Sequence, residues 1–183
     1  TLVEGGTVGF TVLSYTQGEL DCDIWEEPVP DGYTPDYLAG ATTGIGLFDD
    51  DEEGCHFTDV VNGQFTCDVT NAADPGMFTV NKQWVLDEEG EALIDQNVDI
   101  TISCDSEILT QGATFDAQTN YWVLTGTIGD GGSLTAEVDT SADTANCMAT
   151  EVVSESWVLS TDDCGLQPVP AASDVQCTFV NTA

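Results

Sequence analysis

The feature that most restricts this chain is period-2 alternation. Segments such as FTVNKQWV (Phe78 to Val85), VDITISC (Val98 to Cys104) and VQCTFVN (Val175 to Asn181) carry apolar side chains at every second position, with Gly, Asp, Asn and Pro between such runs. Successive side chains of a strand face opposite sides of its sheet, so this pattern builds sheets with one buried face. No apolar stripe of 3.6-residue period persists, which argues against helices. The expected fold is all-β, with sheets packed as a sandwich or a partly open barrel.

Charge narrows the function. The chain has 34 Asp and Glu, one His and a single cation, Lys82, for a formal net charge of −33. Binding a phosphate backbone needs clustered cations, so nucleic acid is excluded as a partner, and an anionic membrane surface is a poor one. No apolar run approaches the roughly 20 residues that cross a bilayer, so no membrane insertion is expected. With 41% hydrophobic residues the chain still has material for packed cores. Acidity of this kind suits a surface kept soluble in salt. Seven cysteines without a CxxC pair, beside one histidine, fit disulfides better than zinc, and therefore an exported, extracellular or cell-surface protein.

The sequence also repeats itself. GGTVGFTVLSY, from Gly5, and GGSLTAEV, from Gly131, each lead to a Cys with a Glu four residues on, Cys22 with Glu26 and Cys147 with Glu151. Further on, Cys55 precedes FTCDVTN (Phe65 to Asn71), and Cys164 precedes VQCTFVN. Both closing segments end in Cys, three residues and Asn. The offset is 126 residues at the Gly pairs and 110 at the closing segments, so the first copy holds an insertion, Leu38 to Gly54. No stretch of the first copy matches FTVNKQWV or DQNVDITISC (Asp95 to Cys104). The expected division is an incomplete domain over residues 1–72, a short turn at ADPG (Ala73 to Gly76), and a complete domain over residues 77–183. The opening strands of the first are then absent by truncation or supplied by another subunit.

Alternation aims three polar residues at one interior. Lys82 falls on the set of Phe78, Val80 and Trp84, Asn181 on that of Val175, Cys177 and Phe179, and Glu151 on that of Cys147 and Ala149. The first copy places Glu26 with Cys22 and Ile24, and Asn71 with Phe65, Cys67 and Val69. Isolated buried charges are costly, so such groups are paired or functional. A lysine neutralised by burial is a nucleophile. It can attack the Asn181 carboxamide while Glu151 shuttles protons and ammonia leaves, giving an amide cross-link between first and last strands. The plain alternative has Lys82 paired with a carboxylate at a strand end, Glu151 solvated and Asn181 opening a turn.

These residues resemble the Cna-B and SpaA-type prealbumin-like domains of bacterial surface proteins and pilins. The likeness rests on FTVNKQWV, on CDIWEEPVPDGYTP (Cys22 to Pro35) and on the closing CTFVN (Cys177 to Asn181). It implies tandem Ig-like or prealbumin-like β-sandwiches, a spontaneous Lys82–Asn181 isopeptide assisted by Glu151, and a stalk, pilus or adhesin role. Glu26 and Asn71 are the first-copy counterparts, without a lysine of their own; Lys82 to Asn71 is a minor alternative. The second copy departs from the pattern by reading EVVSESW, Glu151 to Trp157, where the first has its Pro-Gly-Tyr segment. The family pattern also implies Cys164–Cys177 and, through the repeat, Cys55–Cys67. Cys104–Cys147 is then the remaining pair, and Cys22 is unpaired or bonded to another subunit. Other pairings stay open.

Remaining candidates are weaker. FDDDEEG (Phe48 to Gly54), with Asp49, Asp50, Asp51 and Glu52, and LDEEGE (Leu86 to Glu91) lack EF-hand spacing, so no cofactor is expected, calcium being the one to consider. His56 reads as a loop histidine and GIG (Gly44 to Gly46) as a flexible loop. No motif for turnover of an external substrate is present, so the chain is not expected to be an enzyme. The expected function is a structural subunit of an extracellular filament, pilus or stalk. It would polymerise with copies of itself, or join neighbouring domains of a longer chain, by strand complementation. The alternative is an adhesin module that binds a host surface or glycan through the insertion or through Tyr33, Tyr37 and Phe48.

Overall fold

The computed structural model describes residues 6–13, 16, 19–85, 97–142, 144–152 and 158–182, and among them every regular element is a strand. The acidic segment 86–91 lies outside the described residues. In chain order the strands are β1 (Cys22–Ile24), β2 (Tyr33–Asp51), β3 (Gly54–Ala73), β4 (Gly76–Val85), β5 (Val98–Cys104), β6 (Thr114–Asp116), β7 (Tyr121–Ile128), β8 (Ser133–Val138), β9 (Ala145–Val152), β10 (Val158–Asp162), β11 (Gln167–Val169) and β12 (Asp174–Thr182).

Two compact units result: Thr1–Val29 with Pro35–Asn71, and Pro30–Thr34 with Ala72–Ala183. Residues 30–34 group with the second unit through hydrogen bonds that local sequence does not announce. The Asp74 N–H donates to the Gly32 carbonyl at 2.9 Å, and the Thr34 hydroxyl donates to Asp74 Oδ1 at 2.6 Å. Gly32, at φ 79°, occupies left-handed backbone that suits glycine.

In the second unit, one sheet has the order β10-β12-β4-β8 and the other β11-β9-β5-β7-β6. β4 runs parallel to β12, with Phe179 opposite Lys82 and Asn181 opposite Trp84, and antiparallel to β8. Alternation explains the packing. Along β4, Phe78, Val80, Lys82 and Trp84 are buried, and along β5 so are Val98, Ile100, Ile102 and Cys104. These faces join Cys147, Ala149, Cys177 and Phe179 in one core between the sheets. Cys104 is bonded to its cross-strand neighbour Cys147 (Cα–Cα 4.2 Å), and Cys164 to Cys177 (Cα–Cα 5.1 Å).

The first unit holds one three-stranded sheet, β1-β3-β2, with a small core of Tyr37, Ala39, Cys55, Phe57 and Val60. Cys55 is bonded to Cys67 at a Cα–Cα distance of 5.9 Å. Two expectations are corrected here. GIG is not a loop but lies inside β2, where a Cβ on Gly44 would meet the Cα of Gly63 at 2.5 Å, so glycine permits close backbone approach rather than flexibility. His56 is not on a loop either; it stands on β3 opposite Asp23 of β1.

Candidate cross-linking site

Strand geometry brings Lys82, Glu151 and Asn181 together. Lys82 on β4 and Asn181 on β12 share the inward face of adjacent parallel strands, two register steps apart. Glu151 sits on β9 of the facing sheet, opposite Ile100 of β5. The Lys82 and Glu151 side chains are both fully buried, with Nζ 3.5 Å from Oε1, and Asn181 is 0% exposed. Asn181 Nδ2 donates to the same Glu151 Oε1 at 2.6 Å, so one carboxylate oxygen bridges amine and carboxamide. Lys82 Nζ also donates to the carbonyls of Phe179 (3.4 Å) and Gln83 (3.3 Å), and it lies 4.3 Å from the centroid of the Trp84 ring.

Electrostatics fits a reactive amine. Removal from water pushes Lys82 below its ordinary value, against the opposing pull of the Glu151 carboxylate and, more weakly, of Asp130. Glu151 Oε2 and Asn181 Oδ1 are buried without a hydrogen-bond partner. In a dry interior such oxygens are costly unless used. A half-turn of the Asn181 carboxamide would exchange Nδ2 for Oδ1 and set the carbonyl oxygen against Glu151, where a protonated carboxyl can donate to it. The three groups therefore supply a nucleophile, an electrophile and a proton carrier within a space closed to solvent.

The first-copy counterparts are not assembled in this way. Asn71, expected on an inward face, is exposed near the end of β3, and its neighbour Val69 is 40% exposed. Alternation assigned the face, but in this unit the described strands form a single sheet, and no second described sheet covers that part of it. Glu26 is half-buried, with Oε2 enclosed and unpartnered, and its backbone N–H donates to the Tyr37 hydroxyl at 3.1 Å. Tyr37 is 5% exposed and packed in the small core, so Tyr33, Tyr37 and Phe48 do not form the exposed aromatic patch expected of them. Cys22 is a free thiol, half-buried beside the small core.

Asp49, Asp50, Asp51 and Glu52 are all exposed along the end of β2 and its turn. Asp51 Oδ1 accepts from Glu53 N–H and stands 3.1 Å from His56 Nε2, while His56 Nδ1 stands 2.9 Å from Asp23 Oδ1. These two carboxylates, Asp23 foremost, raise the imidazole above its ordinary value. Among the described residues, the one group of three side chains close enough to share a metal is Asp163, Cys164 and Cys177, whose sulfurs are joined to each other. Sequence reasoning did not single out Asp130, whose Oδ1 accepts the Trp84 N–H at 2.9 Å; the glycines around it, GDGG (Gly129 to Gly132), were the available signal.

No protein-family model matches the chain, and no curated protein matches it. Among solved structures it is similar to a pilus-presented adhesin of Streptococcus pyogenes, in a cysteine mutant form, at 12% identity and a TM-score of 0.42 over 72% of this chain and 34% of that one. It is also similar to the major pilin of Streptococcus pyogenes, at 14% identity and a TM-score of 0.36 over 86% of this chain and 66% of that one. The chain thus spans about a third of the adhesin and about two thirds of the pilin. With both scores below 0.5, the fold rests on the strands and cores described above.

Proposed function

We propose that this chain is part of an extracellular filament, pilus or surface stalk, and that its second unit is a complete load-bearing module closed by a Lys82–Asn181 isopeptide. The observation that carries this reading is the meeting of Lys82, Glu151 and Asn181 in a sealed core. Proton transfer from the ammonium to Glu151 gives a neutral amine. Lys82 Nζ then attacks Cγ of Asn181, the new C–N bond forms, the bond to Nδ2 breaks, and ammonia leaves with the protons that Glu151 relays. The chemistry happens once and on the protein itself.

The product would tie adjacent strands β4 and β12 across a loop of about 100 residues, which by the loop-entropy argument stabilises by about 4–5 kcal/mol. Force applied to the ends of the module would then pass through the bond rather than unravel the sheet. Intact mass after reduction tests the proposal: the chain should be lighter than its sequence by one ammonia, and N181A should show no such deficit. Full sequence mass in the unaltered chain would remove the cross-link.

For the first unit the proposed role is acceptor of a strand from a neighbouring subunit or domain, favoured by the edge position of β1, the free Cys22 thiol and the unpartnered Glu26 oxygen. Denaturing gels with and without reductant test this: a ladder collapsed by reductant supports bonding through Cys22, and monomer alone in both argues against covalent assembly. An adhesin role is favoured by a depression of about 410 Å³ lined by Leu47, Phe48, Asp49, His56 and Thr58. Binding to glycan and host-protein arrays, lost in F48A, is its test.

A further inference from the structure

β8 pairs with β4 only as far as Ser133 opposite Asn81. Beyond that point the Gly129 to Gly132 turn takes over as the partner of β4. The Lys82 N–H donates to the Gly132 carbonyl (3.0 Å), the Gly131 N–H donates to the Lys82 carbonyl (2.9 Å), and the Trp84 N–H donates to Asp130 Oδ1 (2.9 Å). Both polar groups of the Lys82 backbone are thus held by the turn, and the next inward residue, Trp84, is held by a side chain. The turn can do this because Gly131 is at φ 67° and because a Cβ on Gly132 would meet the Gly129 carbonyl oxygen at 2.9 Å. The Lys82 amine lies against the ring of that same Trp84.

We infer that the Gly129 to Gly132 turn is a clamp that presents Lys82 for cross-linking, with Asp130 as a positioning residue that fixes Trp84 and through its ring the place of the amine. The inference rests on the cross-link proposed above. Misplacing a reacting atom by even an ångström slows a reaction held by proximity, so the clamp acts on rate. Asp130 has a second, opposing influence: its charge favours the ammonium, whereas its hydrogen bond places the amine. The two roles separate in D130N, which keeps an oxygen to accept from Trp84 but loses the charge, and in D130A, which loses both.

The single lysine makes the test direct, since lysine-selective isotope labelling yields signals from one side chain. In an N181A background the amine stays free, and the Lys82 methylene protons report the ring current of Trp84. D130A is expected to move them toward their unfolded-chain positions, whereas D130N keeps them shifted and lowers the pH at which Lys82 titrates. With Asn181 in place, the loss of ammonia after cell-free synthesis and quenching should be slowed on the order of tenfold or more in D130A and not in D130N. D130A signals and rate equal to those of the parent would overturn the clamp, as would D130N behaving like D130A. If D130A does not fold, the D130N methylene signals decide: ring-current shifts lost although an oxygen still accepts from the Trp84 N–H would overturn the part of that bond in placing the amine. Absence of any ammonia loss with Asn181 present removes the cross-link, while the N181A signals still report on the clamp.

Discussion

The two units carry the same polar pattern and use it differently. Each has Cys-x-x-x-Glu followed by a closing Cys-x-x-x-Asn. In the second unit the facing sheet covers those positions, and Glu151 and Asn181 meet Lys82 out of water. In the first, one three-stranded sheet leaves Asn71 in solvent, Glu26 with an unpartnered oxygen and Cys22 with a free thiol. On the proposed reading, a pattern of inward residues can react only where a second layer excludes water from it, because burial disfavours the charged form of the amine.

The comparison can be broken most forcefully at Lys82. E151A should abolish the loss of ammonia and also leave an unpaired buried amine, so in denaturant unfolding it should cost the second unit about 3–5 kcal/mol beyond the about 4–5 kcal/mol of the missing cross-link. N181A removes the cross-link but keeps the Lys82–Glu151 pair and should cost about 4–5 kcal/mol, whereas N71A should keep both the ammonia deficit and the unfolding midpoint. Loss of the ammonia deficit in N71A but not in N181A would show that the lysine bonds Asn71 instead. Next come the disulfides: opening Cys104–Cys147, which closes 43 residues, should cost about 4 kcal/mol, against about 3 kcal/mol for Cys55–Cys67, which closes 12. Differential scanning calorimetry of the paired serine variants would rank them.

The smallest expected effect lies in the first unit. His56 joins β3 to Asp23 of β1 and to Asp51 at the end of β2, and its folded pKa is raised above the ordinary value of 6.5. A group with a raised folded pKa stabilises fully below its unfolded pKa, and the contribution is lost as pH rises through the folded one. The first unit should therefore loosen as pH rises from the ordinary histidine value of 6.5 through the raised folded one, with H56Q removing this dependence. Amide exchange at Cys22 to Ile24 against pH would show it. A flat profile in the parent chain would contradict the pinning of β1 by the histidine.

Much of this was legible in the sequence because strands are regular. Alternation alone put Lys82 with Phe78, Val80 and Trp84, and those four side chains are buried together. What alternation cannot say is whether a face is covered, and Asn71 is exposed for that reason. Glycine misled in β2, where the chain uses Gly44 and Gly46 for close approach to Gly63 and Phe65, contacts set by pairing rather than by local propensity. The Pro-Gly-Tyr segment follows the first-copy Glu in sequence but is tied to Asp74 in space, and Tyr37 is packed in the small core. Asp130 escaped notice because its partner lies on a distant strand and its role is a backbone bond, invisible to side-chain pattern.

The central claim is that the one lysine has become an amide, and trypsin reads that state directly. The enzyme cleaves after free lysine or arginine, and this chain offers a single site, after Lys82. Denatured, reduced and alkylated protein should therefore survive trypsin uncut, while N181A treated alike should fall into two fragments, residues 1–82 and 83–183. Cleavage of the unaltered chain into the same two fragments would show a free lysine and contradict the account.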